Sequence, residues 1–200
     1  MELSTLDIIK LTFPFLIAML VLWLKNRLER YWDMRSKQKT LSKLLLNEAG
    51  DVLAFVGALK RSADSVADGN FTLVSIKMPI MVEYLSKDLA SLDNENAHIY
   101  GDLISHFQVC EEGLSRLFRF LETRAASKDK NNIDINAALI AQSRATARDY
   151  INFSASALSV LEIIPQSISQ LSDQATRKIK KDNKGAEQIL VTWPENYNRS

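Results

Sequence analysis

Apolar residues recur along this chain in two patterns: one unbroken block near the N-terminus, then long series stepping by three and four. The first series is Leu45, Ala49, Val52, Val56, Leu59, Ala63 and Val66. A second is Met78, Val82, Leu85, Leu89 and Leu92, and a third is Leu103, Phe107, Cys110, Leu114, Leu117 and Leu121. A fourth takes in Ala147, Ile151, Ser154, Leu158, Leu161, Pro165 and Ile168, with Ala175 and Ile179 beyond. Such steps place the apolar side chains on one stripe of a helix, which must then pack against other helices. Strand-like alternation is confined to Phe71 to Ile76, too short to found a sheet. The fold class is all-α.

Polar breaks divide the series. Ala67-Asp68-Gly69-Asn70 is a turn cluster, and Pro79 suits a helix start. Leu92 to Asn96 and Ser127 to Asn132 are short connections, with Asp134 placed to cap the last helix. The expected architecture is an antiparallel bundle of about four long helices, the first continuous from the N-terminal block through Val66. The last would run from Asp134 to Lys181, about 72 Å if unbroken, with a kink at Pro165. In an up-down arrangement its end returns towards the N-terminal block.

The block itself, Leu11 to Leu24, carries no charge, and Ile8 and Ile9 extend it. Ile8 to Leu24 makes about 25 Å of helix, the short end of what crosses a bilayer. Lys10 can snorkel to one interface, and Trp23, Tyr31 and Trp32 stand where aromatic rings favour the other. The start MELSTLD lacks the basic beginning of a secretory signal, so cleavage is not expected. The sequence therefore predicts a single-pass transmembrane anchor. Basic residues follow it, and the positive-inside rule puts the N-terminus outside and the body in the cytoplasm of a bacterial inner membrane. Four regions result: an anchor over 1–24, a basic juxtamembrane helix over 25–43, a bundle over 44–184 and a tail over 185–200.

Charge supports that division. The 200 residues hold 25 basic and 24 acidic side chains, a net of only +1, with 46% hydrophobic content typical of a folded chain. Residues 25–43 are net +5, 44–176 are net −6 and 177–184 are net +4. Lys25, Arg27 and Arg30 of the first basic cluster, with Arg177, Lys178, Lys180 and Lys181 of the second, are expected to share an anionic cytoplasmic lipid surface with the aromatics, while Lys10 marks the opposite interface. An acidic body repels phosphate backbones, so no nucleic-acid partner is expected.

Chemistry leaves few marks. One cysteine excludes an intramolecular disulfide framework, and phosphate-loop, dinucleotide, nucleophile-elbow and zinc-protease motifs are missing. His106 and Cys110 lie four apart on one helix face, but Cys110 belongs to an apolar stripe. Glu111 and Glu112 point about 100° apart and read as a solvated face. Neither catalytic residues, cofactor nor metal are expected. Glu162 is the only charge from Tyr150 to Leu171, a stretch rich in serine that would support a membrane-inserting segment were it not for Asn152, Glu162 and Gln166. Ile189, Leu190, Val191 and Trp193 form an apolar knot in the tail, placed to fold back onto the bundle, to rest at a membrane interface or to act as a candidate docking peptide for a protein partner.

Together these features predict a non-enzymatic, membrane-anchored helical module that binds an unidentified protein, with self-association also open. The alternative is a membrane-perturbing effector or oligomeric membrane protein using the anchor and residues 150–171.

Overall fold

In the computed structural model, residues 5–68, 82–127, 133–165 and 170–194 are described, and those residues are all-helical. The strand-like Phe71 to Ile76, Pro79 and most of the 127–132 connection lie outside them. The elements are α1 (Thr5–Glu48), a 3₁₀ turn (Ala49–Asp51), α2 (Val52–Ala67), α3 (Val82–Leu92), α4 (Ala97–Ala126), α5 (Ile133–Ile163) and α6 (Gln170–Thr192).

The expected stripes form the core. Leu45, Ala49, Val52, Val56, Leu59, Ala63 and Val66 are all buried, as are Leu103, Phe107, Cys110, Leu114 and Leu117 of α4. On α5 burial extends well beyond one stripe: Leu139, Ile140, Tyr150, Phe153, Ala157 and Val160 join Ala147, Ile151 and Leu161. That breadth makes α5 the central helix, packed against α4, α2 and α6. The α4–α5 pair is antiparallel, since Arg124 donates to Asn136 at one end (2.8 Å) and Phe107 meets Phe153 edge-on further along. Gly113 lets the two helices close up, because a Cβ there would stand 3.2 Å from both Thr146 Oγ1 and Asp149 Oδ2.

The first helix is interrupted once. Between Glu48 and Val52 the chain tightens into the 3₁₀ turn, which redirects backbone carbonyls. Hydroxyls from α5 meet them: Tyr150 Oη donates to the Glu48 carbonyl at 2.7 Å, and Ser154 Oγ to that of Ala49 at 3.2 Å. Phe55 stacks on the Tyr150 ring with centroids 3.9 Å apart, so the turn is held from both sides. The serine that interrupts the apolar stripe of α5 thus acts as a hydrogen-bond donor to the 3₁₀ turn that follows α1.

The long last helix expected from Asp134 to Lys181 is instead two helices. α5 ends at Ile163, two residues before Pro165, whose ring and missing N–H oppose helix continuation. Asp134 lies inside the first turn of α5 rather than at its cap, where its charge still favours the positive helix end. α6 then runs in the same sense as α1 and α2. Lys178 lies against Gly50 and Asp51, Gly185 against Leu53 and Gly57 near Ile189. The apolar part of residues 150–165, namely Tyr150, Ile151, Phe153, Ala157, Val160, Leu161 and Ile164, is buried inside the bundle.

The single-pass anchor is corrected. Among the described residues, no helix is long and apolar enough to cross a membrane. The uncharged stretch of α1, Leu11 to Leu24, is about 21 Å of helix, against roughly 30 Å of bilayer hydrocarbon, and Lys10 and Lys25 bound it. The orientation, and the single-pass placement in a bacterial inner membrane, fall with the span on which they rested.

Candidate docking surface

Every described side chain of α1 from Thr12 to Asp33 is exposed, and the first buried one is Gln38. Since 22 residues make about 33 Å of helix, the N-terminal part of α1 projects clear of the described bundle. The large apolar side chains from Phe13 to Leu24 are each 44% to 66% exposed. Successive helical residues turn by about 100°, so the consecutive run Phe15 to Leu24 covers the whole circumference. Among the described residues, no side of it is packed. A helix apolar all round normally lies within an apolar surrounding, and a contiguous exposed surface of this kind marks an interaction site.

A collar of aromatic and basic residues follows. The Arg27 guanidinium lies 5.1 Å from the Trp23 ring centroid, and that of Arg35 lies 5.9 Å from Tyr31 while donating to its hydroxyl at 3.3 Å. Tyr31 and Trp32 meet edge-to-face at 6.1 Å. Leu24, Arg27, Leu28 and Tyr31 line a shallow cleft on the same stretch. Lys25 approaches Glu29 at 3.9 Å, both largely in solvent, and Arg30 is exposed. Lys37 ends the collar by joining α1 to α3, with Nζ 3.1 Å from Asp33 and 3.3 Å from Asp88; Asp33's hydrogen bond leads in raising its pKa above the ordinary lysine value.

Trp23, Lys25, Arg27, Arg30, Tyr31 and Trp32 are thus brought together on one projecting helix, as their sequence proximity requires. Lys10 lies in α1 but outside the residues whose side chains are described. The second basic cluster is elsewhere. Lys178 pairs with Asp51 at 2.7 Å and Lys180 with Glu162 at 3.4 Å, while Arg177 and Lys181 are exposed on the same flank of α6. Asp51 stands 16 residues along the α1–α2 path from Arg35, about 24 Å of helix, so the two clusters do not converge. Their expected convergence required α5 and α6 to be one straight helix. Glu162, the lone charge of its stretch, is exposed and faces Lys180.

The apolar knot divides. Ile189 and Leu190 pack against the core within α6, and Trp193 is 1% exposed inside it. Its indole N–H has no hydrogen-bond partner among the described residues. Val191 alone is turned outward, 84% exposed.

Within the bundle, titratable groups are shaped by burial. The Cys110 thiol is pushed up to about 12 by burial, with the Asp149 charge adding to the effect, so it stays protonated and packs as a small hydrophobe. Burial likewise raises the Asp149 carboxyl above the ordinary aspartate range, against the opposing charges of Arg148, Arg116 and His106. Tyr150 is raised by burial too, which keeps its hydroxyl a donor to Glu48. No group of three or more metal-ligating side chains occurs among the described residues. Glu112 is exposed and paired with Arg116 at 3.2 Å.

No protein-family model, curated protein or solved structure matches the chain.

Proposed function

We propose that this chain is a non-enzymatic docking module. The projecting part of α1 fastens it to a larger assembly, and the closed, net-acidic bundle is presented to a protein partner. One observation supports this reading above the others: the described side chains of 12–33 are exposed without interruption while the apolar stripes of 41–193 are buried. A catalytic domain would instead gather polar groups in a cleft. The most perturbed groups among the described residues, Cys110 and Tyr150, are buried in packed helices.

Sedimentation velocity in detergent-free buffer tests the reading. An apolar cylinder of this kind is expected to drive association, and Leu16→Glu with Leu20→Glu is expected to restore a monodisperse monomer with unchanged helicity. A wild-type chain that is already a monodisperse monomer would overturn the proposal.

A further inference from the structure

We propose that the occupant of the α1 projection is an anionic lipid surface, into which Phe13 to Leu24 dip without crossing and on which the basic and aromatic collar rests. This inference rests on the docking reading above and names the partner of the same site.

The argument starts from the shape of the exposed surface. A protein partner offering one helix or one groove covers a stripe of roughly a third of a helix's circumference. Here the exposure is even all the way round, from Phe15 to Leu24. A bundle of such helices from several copies would bury one side of each and leave the outer sides in water. Hydrocarbon surrounds a helix on every side at once. Length sets the limit of that insertion: about 21 Å of uncharged helix falls short of a bilayer's hydrocarbon core, roughly 30 Å.

The ends of the projection differ as a lipid surface requires. On the bundle side, Trp23 closes the apolar stretch and Tyr31 and Trp32 stand about two turns beyond it, and amphipathic rings favour the headgroup zone. Arg27 lies over Trp23 and Arg35 over Tyr31, which pairs two of the three rings with a cation. Residues 25–43 are net +5, complementary to anionic headgroups, whereas 44–176 are net −6 and are repelled from them. The acidic bundle therefore stands off the surface that the collar touches. Lys178 and Lys180 pair within the bundle and are not needed for this contact.

Vesicle flotation of the full chain tests the inference, using pure phosphatidylcholine and a 3:1 mixture of phosphatidylcholine with phosphatidylglycerol. Wild-type protein is expected to float with the anionic vesicles at least tenfold more than with the neutral ones, and to lose that preference in 0.5 M salt. Arg27→Gln with Arg30→Gln is expected to lower anionic partitioning about 30-fold, from about fivefold per charge. Leu16→Glu with Leu20→Glu is expected to abolish flotation while the bundle's melting temperature stays put. Lipids brominated near the headgroup should quench tryptophan emission more than lipids brominated at the chain ends, because Trp23 and Trp32 mark the interface. Absence of flotation with both vesicle types, in a chain that forms a defined oligomer or captures a protein through 12–24, overturns the lipid assignment and leaves the docking reading intact. If the Leu16→Glu, Leu20→Glu chain associates and floats as the wild type does, both readings fall.

Discussion

Leu20 and Leu45 are the same residue type on the same helix, yet one is 59% exposed and the other is fully buried. Helix propensity does not separate them. What separates them is company: beyond Gln38, α1 meets α3 and α6, whereas from Thr12 to Asp33 it meets nothing described. The patterning of the two halves still carries a trace of the difference. The C-terminal half shows polar residues between its apolar steps, as a helix with one covered side does, and the N-terminal stretch shows none. One helix therefore serves two surroundings, a protein core and an apolar environment supplied by something else.

The comparison predicts a large asymmetry in stability. Phe153→Ala, which opens a void between α4, α5 and the Tyr150 ring, should cost about 3–5 kcal/mol in denaturant unfolding. Leu20→Ala should stay within about 0.5 kcal/mol in the same assay. Equal losses would mean that the projection is packed after all, and would break the contrast.

A smaller effect tests the join between the two halves. Tyr150→Phe removes the hydroxyl that donates to Glu48 at the 3₁₀ turn but keeps the ring stacked on Phe55. It should lower stability by about 1 kcal/mol. Faster amide exchange in residues 49–55 should accompany that loss, with no change in 97–126. An effect spread evenly over the bundle would show that the turn has no local role.

The smallest effect concerns the second basic cluster. The Lys178–Asp51 pair is short, but both side chains are substantially exposed, and such pairs contribute between about 0 and 1 kcal/mol. Lys178→Ala should therefore shift the unfolding midpoint barely, and should leave vesicle flotation unchanged. A drop in flotation comparable to that of the Arg27 and Arg30 substitutions would bring the two clusters onto one surface and sharpen the assignment in the opposite direction.

Much of the fold is legible in the amino-acid order. Every residue of the stripe from Leu45 to Val66 is buried, because steps of three and four leave a helix only one way to hide its apolar side. Less legible was the centre of the bundle. Tyr150 and Phe153 lie off the expected stripe, and a helix buried on several sides loses the polar side that makes periodicity readable. Pro165 in the sequence suggests a kink in a continuing helix; the chain instead ends one helix before it and begins another after it, which sets the second basic cluster apart from the first. At the candidate site, Trp23, Arg27, Tyr31 and Trp32 were found together because they are neighbours in sequence. The tail's apolar knot suits packing onto the bundle as well as docking, and Trp193 takes the first course as part of the core, since an aromatic in a short apolar run carries no local sign of what will cover it.

By itself, then, the amino-acid order determined an all-helical chain with a charge-free N-terminal stretch, a basic collar and an acidic body. These are local properties, set by backbone geometry and by side-chain chemistry within a few turns. Tertiary structure decided which apolar surfaces found partners: it covered the tail's tryptophan, drew Lys178 and Lys180 onto the acidic flank and left 12–33 bare. Burial depends on residues distant in sequence arriving at the same place, and no local pattern encodes that arrival.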